Sequence, residues 1–221
     1  MTVALVFGGT FDPVHAGHVG LSRALIQSFG DAELSLVPCK IPVHREMPSA
    51  AAYHRYAMLM IATRDEPGLR VDDCELRREG ESYTIDTLTA YREDLGADTS
   101  LVFVMGMDSW LTLPTWRDWQ SFCDVAHLLV LPRSGQQWLS ETEPKVLRQW
   151  AIDRRVIDID ELKHRPAGCI ALAPFSEIKV SATRVRQQLA EGDGKGADID
   201  PRVLSYISEH ALYQPAGLTE T

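Results

Sequence analysis

The sequence predicts an α/β fold, in which a Rossmann-like, doubly wound parallel sheet is covered by helices on both faces. The first observation is that short apolar runs alternate with amphipathic segments along most of the 221 residues, a pattern typical of parallel sheets buried on both faces. The second is that polar or glycine-containing motifs follow several apolar runs, at the strand ends where such sheets bind ligands. The chain length fits one domain, which we expect over residues 1–213, with a mobile tail over residues 214–221.

The predicted strands are short apolar runs: residues 4–7, 34–38, 70–73, 101–105, 128–131 and 170–173. Helices are predicted where apolar residues recur at helical spacing, over residues 19–26, 54–62 and 85–95, and Gly96 marks the end of the last one. Residues 134–168 are polar and irregular apart from a helical pattern over 143–152. We expect them to form an excursion on the surface.

Composition and charge narrow the class of protein. The formal net charge of −9 argues against a nucleic-acid partner, although a local basic cluster can still bind an anion because salt screens distant carboxylates. No secretion signal and no apolar run of membrane-spanning length is present, so we expect a cytoplasmic protein without a membrane partner. Four scattered cysteines predict buried thiols in a reducing compartment: Cys39, Cys74, Cys123 and Cys169. The sequence leaves the oligomeric state open, and a homo-oligomer is one alternative.

The most informative segment is residues 8–18, which read GGTFDPVHAGH between the first strand and the first helix. Glycines let a ligand approach the backbone closely, and helix N-termini bind phosphates. His15 and His18 add donors that can become charged beside an anion. Together these features predict a phosphate-handling site. Two alternatives remain open: a zinc-binding pair, for which no third ligand stands nearby, and a plain capped turn.

A second candidate site lies in residues 180–186, which read VSATRVR. Ser181 is the predicted N-cap of a helix whose inward face carries Val185 and Leu189. Arginines near a helix start oppose the helix dipole unless an anion is bound there. Thr183 and Arg186 share one helical face, so a phosphate could bind both. The alternative is a capped surface helix with solvated arginines.

The first segment resembles the T/H-x-G-H signature of the nucleotidyltransferase superfamily. The second resembles its I-S-x-T-x-x-R signature, with Val180 in place of Ile. Other segments resemble those of the bacterial nicotinate-nucleotide adenylyltransferase family: residues 82–88 (SYTIDTL), 106–109 (GMDS), 113–116 (LPTW) and 42–45 (PVHR). The last departs from the family's P-P-H-[KR] at Val43. The resemblance spans nearly the whole chain and is weakest over residues 134–168.

The resemblance implies a nucleotidyltransferase fold and adenylyl transfer from ATP to nicotinic acid mononucleotide, giving deamido-NAD and pyrophosphate. Such transfer needs positioning and charge neutralisation rather than a catalytic Ser or Cys. By resemblance His15, His18 and Arg186 carry the catalysis, and Mg²⁺ binds mainly through ATP phosphates rather than at a protein metal site. The residues expected at ATP are Gly8, Gly9, Thr10, Phe11, His15, His18, Gly106, Asp108, Arg133, Ser181, Thr183 and Arg186. Those expected at the mononucleotide are Lys40, His44, Arg45, Tyr83, Thr84, Trp116 and Arg117.

The expected ring-binding residues also have structural interpretations. Trp116 offers a flat face for a pyridine ring, but it also suits ordinary core packing. Thr84, at a helix start, offers a hydroxyl and N–H groups to a carboxylate, but it also suits an N-cap. Asp108 is expected near the ATP ribose or the nicotinate side, or as a helix cap. Arg117 either attracts the carboxylate or faces solvent.

Several other functions remain open. An enzyme that prefers nicotinamide mononucleotide differs only in the charge preference of the ring pocket. Pantetheine-phosphate adenylyltransferases and glycerol-phosphate cytidylyltransferases share the first motif, but residues 82–88 and 113–116 do not resemble theirs. A class I aminoacyl-tRNA synthetase would need a K-M-S-K-S segment, which this chain lacks. A nucleotide-sensing module that binds without turnover is the non-enzymatic alternative.

Overall fold

The computed structural model describes residues 1–30, 32–40, 47–132, 138–141, 143–174 and 180–214, with only the backbone at Lys195. Within these residues six parallel strands form one sheet in the order β3-β2-β1-β4-β5-β6. The strands are β1 Val3–Gly9, β2 Glu33–Pro38, β3 Leu69–Val71, β4 Ser100–Gly106, β5 His127–Leu131 and β6 Ile170–Leu172. This arrangement confirms the predicted doubly wound α/β fold. The predicted strands all occur, with ends that shift by at most two residues.

The strand order reverses between β1 and β4, which lie side by side at the centre of the sheet. Leu5 of β1 is in register with Leu34 on one side and with Val102 on the other. The chain therefore winds outward in opposite directions from this pair, which leaves a crevice beyond the carboxyl ends of the two strands.

Helices cover the sheet on both faces. They are α1 Ala16–Ser28, α2 Ala52–Thr63, α3 Cys74–Arg77, α4 Thr84–Leu95, α5 Met107–Thr112, α6 Phe122–Val125, α7 Lys145–Ile152, α8 Ala182–Ala190 and α9 Pro201–Glu209. The helices predicted over residues 19–26, 54–62 and 85–95 are confirmed within α1, α2 and α4. Gly96 ends α4 with a φ of 76°, as expected of a C-terminal glycine.

The core consists of two apolar clusters, one on each face of the sheet. Leu5 and Val102 belong to the cluster under α1, α2 and α9, whereas Val6 and Phe103 belong to the cluster under α4 and α6. Successive strand residues thus point to opposite faces, and both sets are apolar because both faces are covered. This accounts for the continuous apolar runs in the sequence.

The prediction that residues 134–168 form a surface excursion is wrong for much of that range. Leu147 and Ala151 of α7 are fully buried in the second cluster, and Leu162 is fully buried in the first. The Glu143 carboxylate is also buried, and it accepts a hydrogen bond from Trp110 Nε1 at 2.8 Å. Leu147 and Ala151 are one helical turn apart, so a helix with many polar residues still packs one apolar face against the core.

The cysteine prediction is confirmed in part. Cys123 and Cys169 are buried, Cys39 and Cys74 are half-buried, and all four are free thiols. Among the described residues no helix combines the length and hydropathy that crossing a membrane would require. The predicted tail lies outside the described residues except for Gln214.

Candidate active site

A cavity of about 780 Å³ opens at the carboxyl end of the sheet, in the crevice between β1 and β4. This volume is typical of a site for a small-molecule ligand. Most of the predicted site residues line it: Gly8, Gly9, Thr10, Phe11, His15, His18, Tyr83, Thr84, Gly106, Asp108, Trp116, Arg117, Ser181, Thr183 and Arg186. His44, Arg45 and Arg133 lie outside the described residues. The fold therefore brings distant segments of the chain to a single cavity.

The two glycines of the first segment are packed under aromatic rings. A Cβ at Gly9 would lie 2.9 Å from Cζ of Phe11, and a Cβ at Gly8 would lie 3.2 Å from Cε2 of Phe103. Phe11 itself has a left-handed backbone φ of 49°. The sequence interpretation assigned these glycines to close approach by a ligand. The structure shows that they also admit the side chains that shape the loop.

The two histidines lie at the start of α1 with their rings stacked. His15 is the N-cap residue, and the ring centroids of His15 and His18 are 3.8 Å apart at 25°. The backbone N–H of His15 donates to Nδ1 of His18 at 3.3 Å, and the Phe11 ring packs edge-on against His18. Because Nδ1 of His18 accepts this bond, the neutral ring carries its hydrogen on Nε2.

Burial keeps both histidines neutral at pH 7. It lowers the pKa of His15 to about 4, an effect that the charge of Asp198 only partly opposes. It also lowers the pKa of His18 well below its usual value, and the neighbouring His15 lowers it further. The pair is therefore a source of neutral N–H donors until an anion stabilises the charged form. Within the described residues no group of three or more His, Cys, Asp or Glu side chains forms a candidate metal site.

The second predicted motif reaches the first through Arg186. Ser181 caps α8 as predicted, since its hydroxyl accepts a hydrogen bond from the Arg184 N–H at 3.2 Å. Val185 is buried, and Leu189 packs against the core. Arg186 Nη1 donates to the backbone oxygen of Asp12 at 2.7 Å, and its Nη2 lies 3.5 Å from Thr183 Oγ1. The guanidinium thus bridges α8 and the glycine loop at the cavity wall.

The expected ring-binding residues come together around the start of α4. Tyr83 is the N-cap residue and Thr84 is the first helical residue, so Thr84 is not the cap. Trp116 follows a 3₁₀ turn over Leu113–Thr115, and its ring packs edge-on against Phe122. The Arg117 guanidinium lies 4.7 Å from the centroid of the Tyr83 ring.

The structure also places Asp108 and Arg117, two charged residues that were predicted to belong to the site. Asp108 lies in the first turn of α5 and lines the cavity, whereas the N-cap of that helix is Gly106. About half of the Arg117 side chain is exposed, and its Nε lies 3.5 Å from Asp118. Arg117 therefore lines the cavity and also faces solvent, and its attraction for a carboxylate stays a prediction.

Lys40 has a different environment from the one expected. Its Nζ donates to the backbone oxygen of Arg78 at 2.6 Å, and it is not part of the cavity wall. This bond uses one of the three N–H donors of the ammonium and holds the side chain away from the cavity wall. The predicted binding role of Lys40 gains no support from this placement.

Sequence reasoning missed a buried carboxyl group in the cavity wall. Glu75 accepts a hydrogen bond from Thr87 Oγ1 at 2.9 Å, and Arg78 Nη1 donates to Thr87 Oγ1 at 3.0 Å and to Ser82 Oγ at 2.7 Å. Burial raises the pKa of Glu75 above its ordinary value. Ser82 and Thr87 lie in the segment that carried the family resemblance, and this was the available signal.

Sequence reasoning also missed the fully buried guanidinium of Arg55. Its Nη1 donates to the Thr10 oxygen at 2.7 Å, its Nη2 to the Cys39 oxygen at 2.6 Å, and its Nε to the Ala50 oxygen at 3.2 Å. It therefore ties the glycine loop to the end of β2 and to the segment before α2. An arginine in an amphipathic helix is normally read as solvent-facing, so no local pattern indicates this role.

Comparisons with known proteins identify the family of this chain. The model of the cytidylyltransferase-like family matches residues 6–188. The chain is 40% identical over 210 residues to a probable nicotinate-nucleotide adenylyltransferase of Acidithiobacillus ferrooxidans, covering 95% of each chain. It is 42% identical over 208 residues to the protein of that name from Pectobacterium atrosepticum, covering 94% of this chain and 97% of the relative.

Solved structures resemble the fold. The nicotinic acid mononucleotide adenylyltransferase of Plasmodium falciparum complexed with NaAD superimposes with a TM-score of 0.68 at 19% identity, covering 96% of this chain and 98% of that one. The same enzyme complexed with APC gives a TM-score of 0.65. At this identity the likeness concerns the fold alone, whereas the bacterial relatives establish the family. The chain belongs to the cytidylyltransferase-like family and, among its members, to the nicotinate-nucleotide adenylyltransferases.

Proposed function

We propose that this chain transfers the adenylyl group of ATP to nicotinic acid mononucleotide and releases pyrophosphate, forming deamido-NAD for NAD biosynthesis. The observation that carries the proposal is the shared cavity. The His15–His18 pair and Arg186 line the same space as the Tyr83–Thr84 helix start and Trp116. One group suits phosphates and the other suits an acidic aromatic ring, so both substrates can meet there.

The reaction is a displacement at phosphorus. A phosphate oxygen of the mononucleotide attacks the α-phosphorus of ATP and forms the new P–O bond. The bond from the α-phosphorus to the oxygen bridging to the β-phosphate breaks, and pyrophosphate leaves with that electron pair. The substrate supplies its own nucleophile, so the protein has to position two phosphates and stabilise charge.

The residues at the start of α1 and α8 fit that task. Nε2–H of His18 can donate to a phosphate oxygen, because its Nδ1 is already occupied by the His15 N–H. A phosphate beside the ring would raise the pKa of His18 toward its ordinary value, so the donor would gain charge when the substrate arrives. Arg186 adds a positive charge in the same cavity. The partial positive charge at the starts of α1 and α8 also favours an anion there.

The start of α4 fits recognition of the nicotinate carboxylate. Helix-initial N–H groups near Thr84 have no intrahelical acceptor and favour a negative group. The Trp116 ring offers a face for the pyridine ring. Arg117, held over Tyr83, adds positive charge at this wall. The neutral carboxamide of nicotinamide mononucleotide would gain less from the helix-start N–H groups and from Arg117 than a carboxylate would, so we propose a preference for the nicotinate form.

We also propose that Mg²⁺ enters with ATP. The described residues contain no cluster of ligands large enough for a protein cage, but Asp108 places one carboxylate in the cavity wall. One carboxylate, phosphate oxygens and waters make a suitable set of ligands for this ion. When bound, Mg²⁺ would neutralise negative charge on the phosphates. The four free thiols support a reducing compartment, and we place the reaction in the cytoplasm.

Pyrophosphate release tests the proposal. The wild-type protein is mixed with ATP, Mg²⁺ and either nicotinic acid mononucleotide or nicotinamide mononucleotide. We expect faster release with the acid, and a loss of about 10²–10³-fold in His18→Ala. His164→Ala, a change at an exposed histidine outside the cavity wall, is the matched control and should retain activity.

Each other outcome has a defined meaning. Equal rates with the two mononucleotides would show that the Thr84–Trp116 wall does not distinguish a carboxylate from an amide. No release with either would exclude the proposed reaction and direct the assay to pantetheine phosphate and other acceptors. Binding of ATP without turnover of any acceptor would favour a sensing role.

A further inference from the structure

The Asp12 carboxylate has no role in the reaction proposed above, yet several segments around the cavity contact it. Asp12 lies in the glycine loop between Gly9 and His15, and only 5% of its surface is exposed. Its Oδ2 accepts a hydrogen bond from the Ser49 N–H at 2.7 Å, and its Oδ1 accepts one from the Ala50 N–H at 3.0 Å. A buried carboxylate is costly unless such donors surround it, so its presence here calls for a specific reason.

The one cation placed directly against this carboxylate, within the described residues, is Arg186. Arg186 Nη1 lies 3.8 Å from Asp12 Oδ2 and donates to the backbone oxygen of the same residue at 2.7 Å. The side chain of Arg186 is only 30% exposed. Asp12 thus contacts Nη1 of the guanidinium through a hydrogen bond to its backbone oxygen and through the charge of its nearby carboxylate. The other terminal nitrogen, Nη2, faces Thr183 in the cavity wall.

The C-terminal segment supplies a third hydrogen-bond donor to the Asp12 carboxylate. The Tyr213 hydroxyl donates to Asp12 Oδ1 at 2.7 Å. Burial and the adjacent carboxylate raise the pKa of Tyr213, so the phenol keeps its proton and remains a donor. Tyr213 and its neighbour Leu212 also pack against the first apolar cluster. The position of the carboxylate is therefore fixed by three neutral donors that come from two other parts of the chain.

We propose that Asp12 is a positioning residue that fixes the Arg186 guanidinium for contact with the transferred phosphate, and that Tyr213 fixes Asp12. The inference rests on the proposed adenylyl transfer. A free arginine side chain loses rotamer freedom when it binds a phosphate. The Asp12 contacts remove that freedom beforehand, and the carboxylate lies close enough to orient the guanidinium while leaving Nη2 for the ligand.

The test is a double-mutant cycle between Asp12→Asn and Arg186→Lys. Pyrophosphate release gives kcat and KM, and calorimetry with ATP and Mg²⁺ gives an affinity that does not depend on turnover. We expect Asp12→Asn to lower kcat by about 10–100-fold, with little change in KM for the mononucleotide. The double variant should be no more than about twofold slower than Arg186→Lys, because both changes disturb the same guanidinium.

Two further variants control for structural damage. Glu143→Gln also neutralises a buried carboxyl group, but outside the cavity wall, and should leave kcat unchanged. Tyr213→Phe removes one hydroxyl and should lower kcat by about 3–10-fold, again without adding to Arg186→Lys. Thermal unfolding shows whether Asp12→Asn folds. If it does not fold, the cycle of Tyr213→Phe with Arg186→Lys tests the positioning role instead.

The outcomes separate this inference from the proposed function. Independent, multiplying effects of the Asp12 and Arg186 variants, or wild-type kcat in Asp12→Asn, would overturn the positioning role. A wild-type protein that binds ATP but releases no pyrophosphate would overturn the proposed reaction alone. In that case the same double-mutant cycle is measured as ATP affinity by calorimetry. Non-additive effects of the Asp12 and Arg186 variants on affinity would support the positioning role, and additive effects would overturn it. A wild-type protein that does not bind ATP would overturn both.

Discussion

At the scale of single residues, the chemistry of this cavity depends on groups whose ordinary properties are changed by burial. His15 and His18 are neutral donors at pH 7 because their surroundings disfavour the charged form. Beside them, Arg186 Nη1 lies 3.8 Å from the Asp12 carboxylate, which we propose holds the guanidinium in place. The proposed phosphate side of the site therefore combines the positive charge of Arg186 with two donors that can gain charge as the phosphates arrive.

The buried histidines predict a specific dependence of stability on pH. The pKa of His15 is about 4 in the folded protein against 6.5 when it is exposed. The unfolded chain therefore takes up the proton first, and stability falls as the pH drops from 6.5 toward 4. We expect His15 alone to account for a loss of about 2 kcal/mol in unfolding free energy between pH 7 and pH 5.

Urea unfolding of the wild type and His15→Gln at both pH values measures this contribution. The variant should lose less stability than the wild type over the same interval, whereas His164→Gln, at an exposed position, should behave as the wild type. Equal losses in the wild type and His15→Gln would mean that His15 is not buried as a neutral group.

A second prediction concerns the glycine loop. Gly9→Ala would place a Cβ 2.9 Å from the Phe11 ring, so we expect a loss of about 1–3 kcal/mol in unfolding free energy from overpacking. The double variant Gly9→Ala, Phe11→Leu makes room for the methyl group. Its loss should be smaller than the sum of the two single losses, as measured by denaturant unfolding. Additive losses would contradict the contact.

At the scale of elements, helix starts supply most of the site. The start of α1 carries the histidine pair, and the start of α4 carries Tyr83 and Thr84. The start of α8 carries its N-cap Ser181 and, in the second turn, Arg186. Each of these helices begins at the carboxyl-end side of the sheet, near the cavity. Parallel topology imposes this arrangement on α1 and α4, because a crossover helix runs back from the edge where its strand ends. The helix α8 follows the last strand, β6, and also begins near the cavity.

The packing of α7 gives a prediction at this scale. Leu147 is fully buried, whereas its neighbour Val146 is 49% exposed. We expect Leu147→Ala to lower the unfolding free energy by about 2–5 kcal/mol, because it leaves a cavity in the second cluster. Val146→Ala in the same helix should change it by less than about 1 kcal/mol. Similar small effects of both changes would restore the view of this region as a surface excursion.

At the scale of the whole molecule, buried polar residues hold the surroundings of the cavity together. Arg55 joins the glycine loop, the end of β2 and the segment before α2 through carbonyl groups. Asp12 joins the same loop to the segment at residues 49–50, to α8 and to the C-terminal Tyr213. These two residues connect loops at the carboxyl edge of the sheet with segments outside the sheet, namely α2 and the residues before it, α8 and the C-terminal segment.

Removal of the Arg55 guanidinium should therefore weaken the whole fold. We expect Arg55→Met to lower the unfolding free energy by at least about 3 kcal/mol, since several buried carbonyl groups would lose their donor. The matched control is Arg70→Met, which breaks a surface ion pair with Glu33 and should cost less than about 1 kcal/mol. Chemical denaturation of both variants distinguishes them, and a loss at Arg55 as small as that at Arg70 would contradict the connecting role.

Local sequence determined much of this protein. The apolar runs determined the parallel sheet, because strands buried on both faces need apolar residues at every position. The segments around His18 and Arg186 indicated phosphate handling, since glycines, helix starts and basic groups combine there within a few residues. The family resemblance then brought Tyr83, Thr84 and Trp116 into the same site before their proximity was visible.

Tertiary structure alone decided the partners of the buried polar groups. Asp12 accepts a hydrogen bond from Tyr213, which lies near the other end of the chain. Lys40 donates to a backbone carbonyl group, and Leu162 is buried in the core although its neighbours in sequence are mostly polar. Burial also set the protonation of the histidine pair. The physical reason is the same in each case: hydrogen bonds, desolvation and packing depend on neighbours in space, and the neighbours of a residue in the folded chain are mostly distant in sequence.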